Sequence, residues 1–162
     1  MNNVILLLGG NLGDVVANFL EVKNKIIQSV GNINQESEIY KSPAWGYESE
    51  NIFFNQALNI STDLSVYDLL EITQNIEFSF GRIKSQEGGY KDRLIDIDII
   101  FYNSEIINDD KITIPHKRMQ ERSFVLVPLC DIIPEFIHPV LKTSVYSLSK
   151  KVKNINIFKH AL

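Results

Sequence analysis

Cysteine is almost missing from this chain: Cys130 is the only one among 162 residues. A single thiol cannot close an internal disulfide and offers no cysteine-based zinc spacing. In the apolar setting Phe124-Val125-Leu126-Val127-Pro128-Leu129-Cys130 it reads as an inert core thiol. Positive charge is also short, with 16 Lys and Arg against 20 Asp and Glu and a formal net charge of −4. Such a balance gives no general footing for a nucleic-acid partner. No apolar run is long enough to span a membrane, and the opening run Val4 to Leu8 has neither the length nor the basic flank of a signal segment. A cytoplasmic protein that binds no membrane is the expectation. Internal repeats, low-complexity tracts and linkers are missing too. One domain over 1–162 is therefore expected, and its 44% hydrophobic residues can fill a substantial core.

Two familiar chemistries are also missing. Gly9-Gly10-Asn11-Leu12-Gly13 stands between a predicted strand and a predicted helix. It lacks the G-x-G-x-x-G spacing of dinucleotide binders and the Lys-Ser/Thr of a P-loop. Its glycines read as a tight turn, with Asn11 still able to line a site. No Ser or Cys is arranged with a His base as an activated nucleophile.

What is there gathers around Asp92-Arg93-Leu94-Ile95-Asp96-Ile97-Asp98-Ile99-Ile100-Phe101-Tyr102. The Ile and aromatic content from Leu94 to Tyr102 predicts a strand. Side chains alternate along a strand, so Asp96 and Asp98 share one face and Ile95, Ile97 and Ile99 the other, with the two aspartate Cα atoms roughly 6.5–7 Å apart. Two such carboxylates either converge on a hard divalent cation or form the wet face of an edge strand. The preceding loop carries Arg82, Lys84, Lys91 and Arg93 around Gly88-Gly89, and a second cationic cluster runs from His116 to Arg122. Cations beside a carboxylate pair suit a metal-bridged polyphosphate. A solvated loop, and a structural histidine, are the plainer alternatives.

The remaining chain supplies the frame. Phe19, Val22, Ile26, Ile27 and Val30 predict a helix over Asp14 to Val30, and Ser65 caps a second one reaching Phe80 through Leu69, Leu70, Ile72, Ile76 and Phe80. Strands are predicted at Val4 to Leu8, Ile33 to Lys41, Ile52 to Ile60 and Glu105 to Asn108. In the third of these, Phe53 and Asn55 share a face and make a wall suited to a hydrogen-bonding heterocycle. Trp45 and Tyr47, in the loop between Ser42 and Asn51, either cap the core or offer a flat-ligand surface. Helices are predicted over Phe124 to Ile132 and Ser144 to Val152. The order strand–helix–strand–strand–helix–strand predicts an α+β, ferredoxin-like βαββαβ core: an antiparallel sheet with both helices on one face, plus C-terminal additions.

These residues resemble the 6-hydroxymethyl-7,8-dihydropterin pyrophosphokinase family over nearly the whole chain. The resemblance is carried by Gly9-Gly10-Asn11-Leu12-Gly13, by Arg93 to Asp98 against the family's R-x-L-D-L-D strand, and by Pro115-His116 followed by Arg122-Ser123-Phe124 and the apolar run to Leu129. It implies the ferredoxin-like fold and Mg²⁺-dependent transfer of pyrophosphate from ATP to a pterin hydroxymethyl group, with AMP released. It also implies that Asp96 and Asp98 bind two Mg²⁺ ions. Ser42, Pro43, Trp45, Phe53, Asn55, Tyr90 and Phe124 would surround the pterin. Gln74, Glu77, Arg82, Lys84, Arg93, Ile99, Lys111, Thr113, His116 and Arg122 would serve ATP. Arg82 and Arg93 would act with the two aspartates in catalysis. Small-molecule substrates and a monomer are expected. Lys84 and Lys111 stand where the family usually has Arg, which turns forked phosphate contacts into point charges.

Overall fold

A continuous apolar strand with no polar face must be covered on both sides, and this requirement arranges the molecule around β1 (Asn2–Gly10). The computed structural model describes residues 1–81, 91–153 and 156–161. The chain continues through α1 (Val15–Ser29), β2 (Asn32–Glu36), β3 (Tyr40–Ser42), β4 (Phe53–Thr62), α2 (Val66–Ser79) and β5 (Asp96–Tyr102). A small hairpin of β6 (Ile107–Asn108) and β7 (Thr113–Ile114) and a 3₁₀ turn at Met119–Glu121 follow. The chain then forms α3 (Ser123–Ile132), α4 (Val145–Lys151) and β8 (Phe158–Lys159).

The main sheet is antiparallel, in the order β5-β1-β4-β3-β8, with β2 also pairing to β4. This is the ferredoxin-like βαββαβ arrangement, with β2 and β3 sharing the place of one strand. Val4, Leu6 and Leu8 point to one face and pack with Phe19, Val22 and Ile26 of α1 and Leu69 and Ile76 of α2. Ile5 and Leu7 point to the other and pack with Val125, Leu126 and Leu129 of α3 and Val145 and Leu148 of α4. Burying each such Leu or Ile contributes about 1.5–3 kcal/mol. Asp14 and Ser65 cap the two long helices, accepting from the amides of Ala17 and Asp68.

The single strand expected over Ile33 to Lys41 is two. The break falls at Ser37, whose backbone amide donates to Ala57 O while its hydroxyl accepts from Ala57 N at 2.9 Å. Its carbonyl accepts from the Gln56 side chain at 2.8 Å. Side-chain bonds thus take over part of the ladder, and the chain turns before β3. The Glu105 to Asn108 strand is also shorter than expected, reduced to Ile107–Asn108. Cys130 is half-buried against the second core rather than within it.

β5 lies at the end of the sheet, bonded along one side to β1. Its other side is closed by unlike means. The Ile97 amide donates to the Glu77 carboxylate at 2.8 Å, and Ile100 O accepts from the His116 amide at 2.9 Å. A register shift in the β1 pairing near Ile5 and Leu6 sets both Ile100 and Phe101 into the α3–α4 core. Asp96 and Asp98 stay on that face, while Ile97 and Ile99 remain with the helices α1 and α2.

Candidate active site

The ends of three adjacent strands form the floor of a cleft of about 260 Å³. Register decides which side chains meet there. Gly9 pairs with Asn55 in β4 and with Asp96 in β5, and Leu7 pairs with Asp98. A side chain on Gly9 would sit in the opening between them, its Cβ 2.9 Å from Asn55 Nδ2. Ser42, Pro43, Trp45, Tyr47 and Phe53 rise on one side, and Arg93, His116, Arg122 and Phe124 on the other.

Two aromatic pairs shape the walls. Trp45 meets Phe124 edge-on at 6.4 Å between ring centroids, and Tyr47 meets Phe53 at 6.1 Å. Two guanidinium groups lie over the Trp45 ring, Arg118 at 4.6 Å and Arg122 at 4.4 Å from its centre. Trp45 thus lines the cleft wall against Phe124.

Polar atoms on the floor are left open. Asn55 is buried and donates to Leu8 O at 3.3 Å, while its Oδ1 has no hydrogen-bond partner among the described residues. The buried Ser42 hydroxyl and His116 Nδ1 share that condition. Buried polar atoms normally find partners, so unused ones lining a cleft suit a ligand that brings its own donors and acceptors.

The carboxylates are balanced by cations. Arg93 Nη1 lies 3.3 Å from Asp96 Oδ2, and His116 Nε2 lies 3.7 Å from Asp98 Oδ1. Burial alone would raise Asp98, but pairing with His116, together with the charges of Arg122 and Arg93, holds it below the usual carboxylate range. Burial likewise opposes protonation of His116, yet Asp98 pushes it upward. The site therefore favours an ionised carboxylate beside an imidazolium. Two same-face carboxylate oxygens suit a hard divalent cation. Among the described residues no group of three or more His, Cys, Asp or Glu converges. Other oxygen ligands would come from a phosphate-bearing ligand or water.

A model of the family described as 7,8-dihydro-6-hydroxymethylpterin-pyrophosphokinase (HPPK) matches residues 5–134. The chain belongs to this family. It is an enzyme of the pyrophosphokinase class. A 2-amino-4-hydroxy-6-hydroxymethyldihydropteridine pyrophosphokinase of Porphyromonas gingivalis is 36% identical over 142 residues, which cover 86% of this chain and 96% of the relative. The namesake in Methylorubrum extorquens is 34% identical over 138 residues, covering 85% and 86%. A folic acid synthesis protein of Dictyostelium discoideum is 41% identical over 154 residues; the match covers 94% of this chain and only 23% of that longer protein. In fold, the chain resembles a crystal structure of Plasmodium falciparum HPPK-DHPS, with a TM-score of 0.77 at 17% identity over 93% of this chain and 44% of that one.

The cleft brings together Ser42, Pro43, Trp45, Phe53, Asn55, Arg93, Asp96, Asp98, His116, Arg122 and Phe124 from the expected set. Gln74, Glu77, Ile99, Lys111 and Thr113 are not in its lining. Glu77 and the β6–β7 hairpin flank the outer side of β5, and Lys111 sits over the Tyr67 ring of α2 at 5.6 Å. Ile99 is buried in the core beneath α1 and α2. Arg82, Lys84 and Tyr90 lie outside the described residues. Leu7 and Gly9 were missed as lining residues. A strand alternation that put Leu7 opposite Asp98 could have found Leu7; Gly9 needed the three-strand register.

Proposed function

We propose that this chain transfers pyrophosphate from ATP to the hydroxymethyl group of 6-hydroxymethyl-7,8-dihydropterin, giving the pterin diphosphate and AMP. The observation that carries the proposal is the placement of Asn55, with its unused acceptor, and the Asp96–Asp98 face on either side of Gly9 in one cleft. A flat heterocycle can lie between Phe53, Trp45 and Phe124 while Asn55 reads its edge, and its hydroxymethyl arm then points toward the carboxylates. Ser42 and Pro43 close the same end. Tyr90 would add a further aromatic face.

Asp96 and Asp98 would hold two Mg²⁺ ions. When bound, these would supply charge neutralisation for the triphosphate and polarise the attacking hydroxyl. Pairing to His116 and the charges of Arg122 and Arg93 keep Asp98 ionised until then. Arg93, His116 and Arg122 would move onto phosphate oxygens, joined by Arg82 and Lys84, while Gln74, Glu77, Ile99, Lys111 and Thr113 would receive the rest of ATP along β5. Pyrophosphoryl transfer to a neutral hydroxyl requires in-line placement and charge balance rather than a strong base, which fits a site without an activated nucleophile. The chain would act as a single-domain cytoplasmic monomer on small molecules. Among the described residues no helix is long and apolar enough to cross a membrane.

Incubation with ATP, Mg²⁺ and the hydroxymethyl dihydropterin tests the proposal. Pterin-dependent AMP supports it; release of ADP or pyrophosphate, or no turnover, sends it aside in favour of another metal-dependent phosphoryl transferase or a non-catalytic binding module.

A further inference from the structure

Asp92 accepts four side-chain hydrogen bonds: from Asn11 Nδ2 at 2.7 Å, Ser49 Oγ at 2.7 Å and the Tyr47 hydroxyl at 3.0 Å on Oδ1, and from Asn51 Nδ2 at 2.8 Å on Oδ2. An exposed carboxylate ordinarily spends its acceptor sites on water. Here the donors come from two separate segments, the turn after β1 and the loop between β3 and β4, while Asp92 belongs to a third, the entry to β5. Asn11 strengthens the join on its other side. Its Oδ1 accepts from the Arg93 amide at 2.8 Å, and Arg93 O accepts from the amides of Asn11 at 2.9 Å and Leu12 at 3.2 Å. A Cβ on Gly10 would come within 2.6 Å of Leu94 O, so the turn and the strand entry already approach as closely as backbone permits.

The loop so tied is the one that carries the walls. Trp45 and Tyr47 lie on it, and Phe53 follows where it enters β4. The residue after Asp92 is Arg93, which pairs with Asp96. One carboxylate therefore connects the aromatic side of the cleft with its charged side. No other anchor of comparable number joins this loop to β5 in the hydrogen bonds of the described residues.

We propose that Asp92 is a positioning residue: it latches the Tyr47–Asn51 loop to the turn at Asn11 and the entry of β5, so that the aromatic wall is held in place for the incoming heterocycle. The proposal deepens the pyrophosphokinase reading and rests on it for the identity of that heterocycle. Asp92 itself needs no contact with substrate. Each exposed bond is weak alone, but bonds from two segments on one carboxylate restrict both together, which lowers the ordering cost of ligand binding.

Trp45 is the only tryptophan in the chain, so its emission reports the loop directly. Asp92→Ala and Asp92→Asn are compared with the unaltered full chain by acrylamide quenching of Trp45 and by equilibrium binding of the hydroxymethyl dihydropterin and of ATP with Mg²⁺. For Asp92→Ala the quenching constant should rise roughly twofold and the pterin Kd roughly tenfold, with the ATP Kd changed by less than about threefold. Asp92→Asn, which keeps an acceptor oxygen, should restore most of both. A paired variant, Ser49→Ala with Asn51→Ala, removes two of the donors, leaves Asp92 and the cleft lining intact, and should shift quenching in the same direction. It decides the matter if Asp92→Ala does not fold. Unchanged Trp45 quenching overturns the latch, as does an equal fall in pterin and ATP affinity or an Asn variant as impaired as the Ala variant. If the unaltered chain makes no AMP, the pyrophosphokinase reading fails, and the quenching series still decides the latch.

Discussion

Asn55 and Asp96 face each other across Gly9, one from β4 and one from β5, and the missing side chain between them is what opens the floor of the cleft. Gly9→Ala places a Cβ 2.9 Å from Asn55 Nδ2, at the far end of a side chain that can move. The fold should tolerate this, with Tm lowered by less than about 3 °C, because the strain falls on one amide. The amide would leave Leu8 O, and pterin affinity should fall roughly tenfold. Calorimetric titration beside a thermal melt checks both numbers; unchanged affinity would remove Asn55 from the recognition role.

Asp96→Ala and Asp98→Ala should leave the far-ultraviolet circular dichroism spectrum unchanged while lowering turnover by roughly 10³-fold or more. Chelation of divalent ions from the unaltered protein should have the same consequence and be reversed by Mg²⁺. Near-normal turnover in either variant would show that these carboxylates do not hold the metal.

Glu77 is buried, and its carboxylate closes the outer side of β5 by accepting from the Ile97 amide. Glu77→Ala strands that N–H and should cost about 1–3 kcal/mol, which for a chain of this size is about 2–4 °C of Tm per kcal/mol. Glu77→Gln keeps an acceptor oxygen and should lose less than half as much. Equal losses in the two variants would assign the effect to charge instead.

Binding of a non-hydrolysable ATP analogue with Mg²⁺ should change Trp45 emission, because Arg122 stacks on its ring and is expected to turn toward phosphate. Titration of the analogue followed at the emission maximum checks this. A flat titration at saturating analogue, with binding confirmed by calorimetry, would leave Arg122 on the ring and out of the phosphate site.

Hydrogen bonds from Ser49, Asn11 and Asn51, with a smaller opposing contribution from burial, lower Asp92 from 3.8 to about 2. A lowered carboxylate pKa stabilises the folded state above its unfolded value, and that stabilisation is lost as pH falls through the folded value. Acrylamide quenching of Trp45 should therefore be flat between about pH 5 and pH 9 and increase only below about pH 3. Burial and the bond to Asp92 push Tyr47 up to about 12, so the tyrosine remains a donor across that whole range. A titration step near neutrality would place control of the loop elsewhere.

The parts of the fold written in periodicity were legible from residues alone. Val4 to Leu8, the stripe from Phe19 to Ile26 and the cap Ser65 each follow from local spacing, and they set the βαββαβ order. The break at Ser37 was not legible, because it depends on a serine side chain meeting a strand twenty residues away. The edge position of β5 stood only as one of two alternatives for the aspartate strand, since strand order is a property of the whole sheet. Asp96 and Asp98 could be read as one face, but their partners, Arg93 and His116, come from residues whose direction the sequence leaves open. Asp92 begins the motif that runs to Tyr102, but its role was not legible, for four exposed polar contacts carry no hydrophobic period.

α3 carries the wall residue Phe124 in its first turn and is backed by Val145 and Leu148 of α4. The stretch matching the family ends at 134, ahead of α4. An expression boundary drawn there would strip the backing from Leu126 and Leu129 and leave an apolar face open to water, a surface that invites aggregation. Trimming to the family's shared length would thus be felt first as poor solubility and then as a slack cleft wall, though no residue of the cleft had been removed.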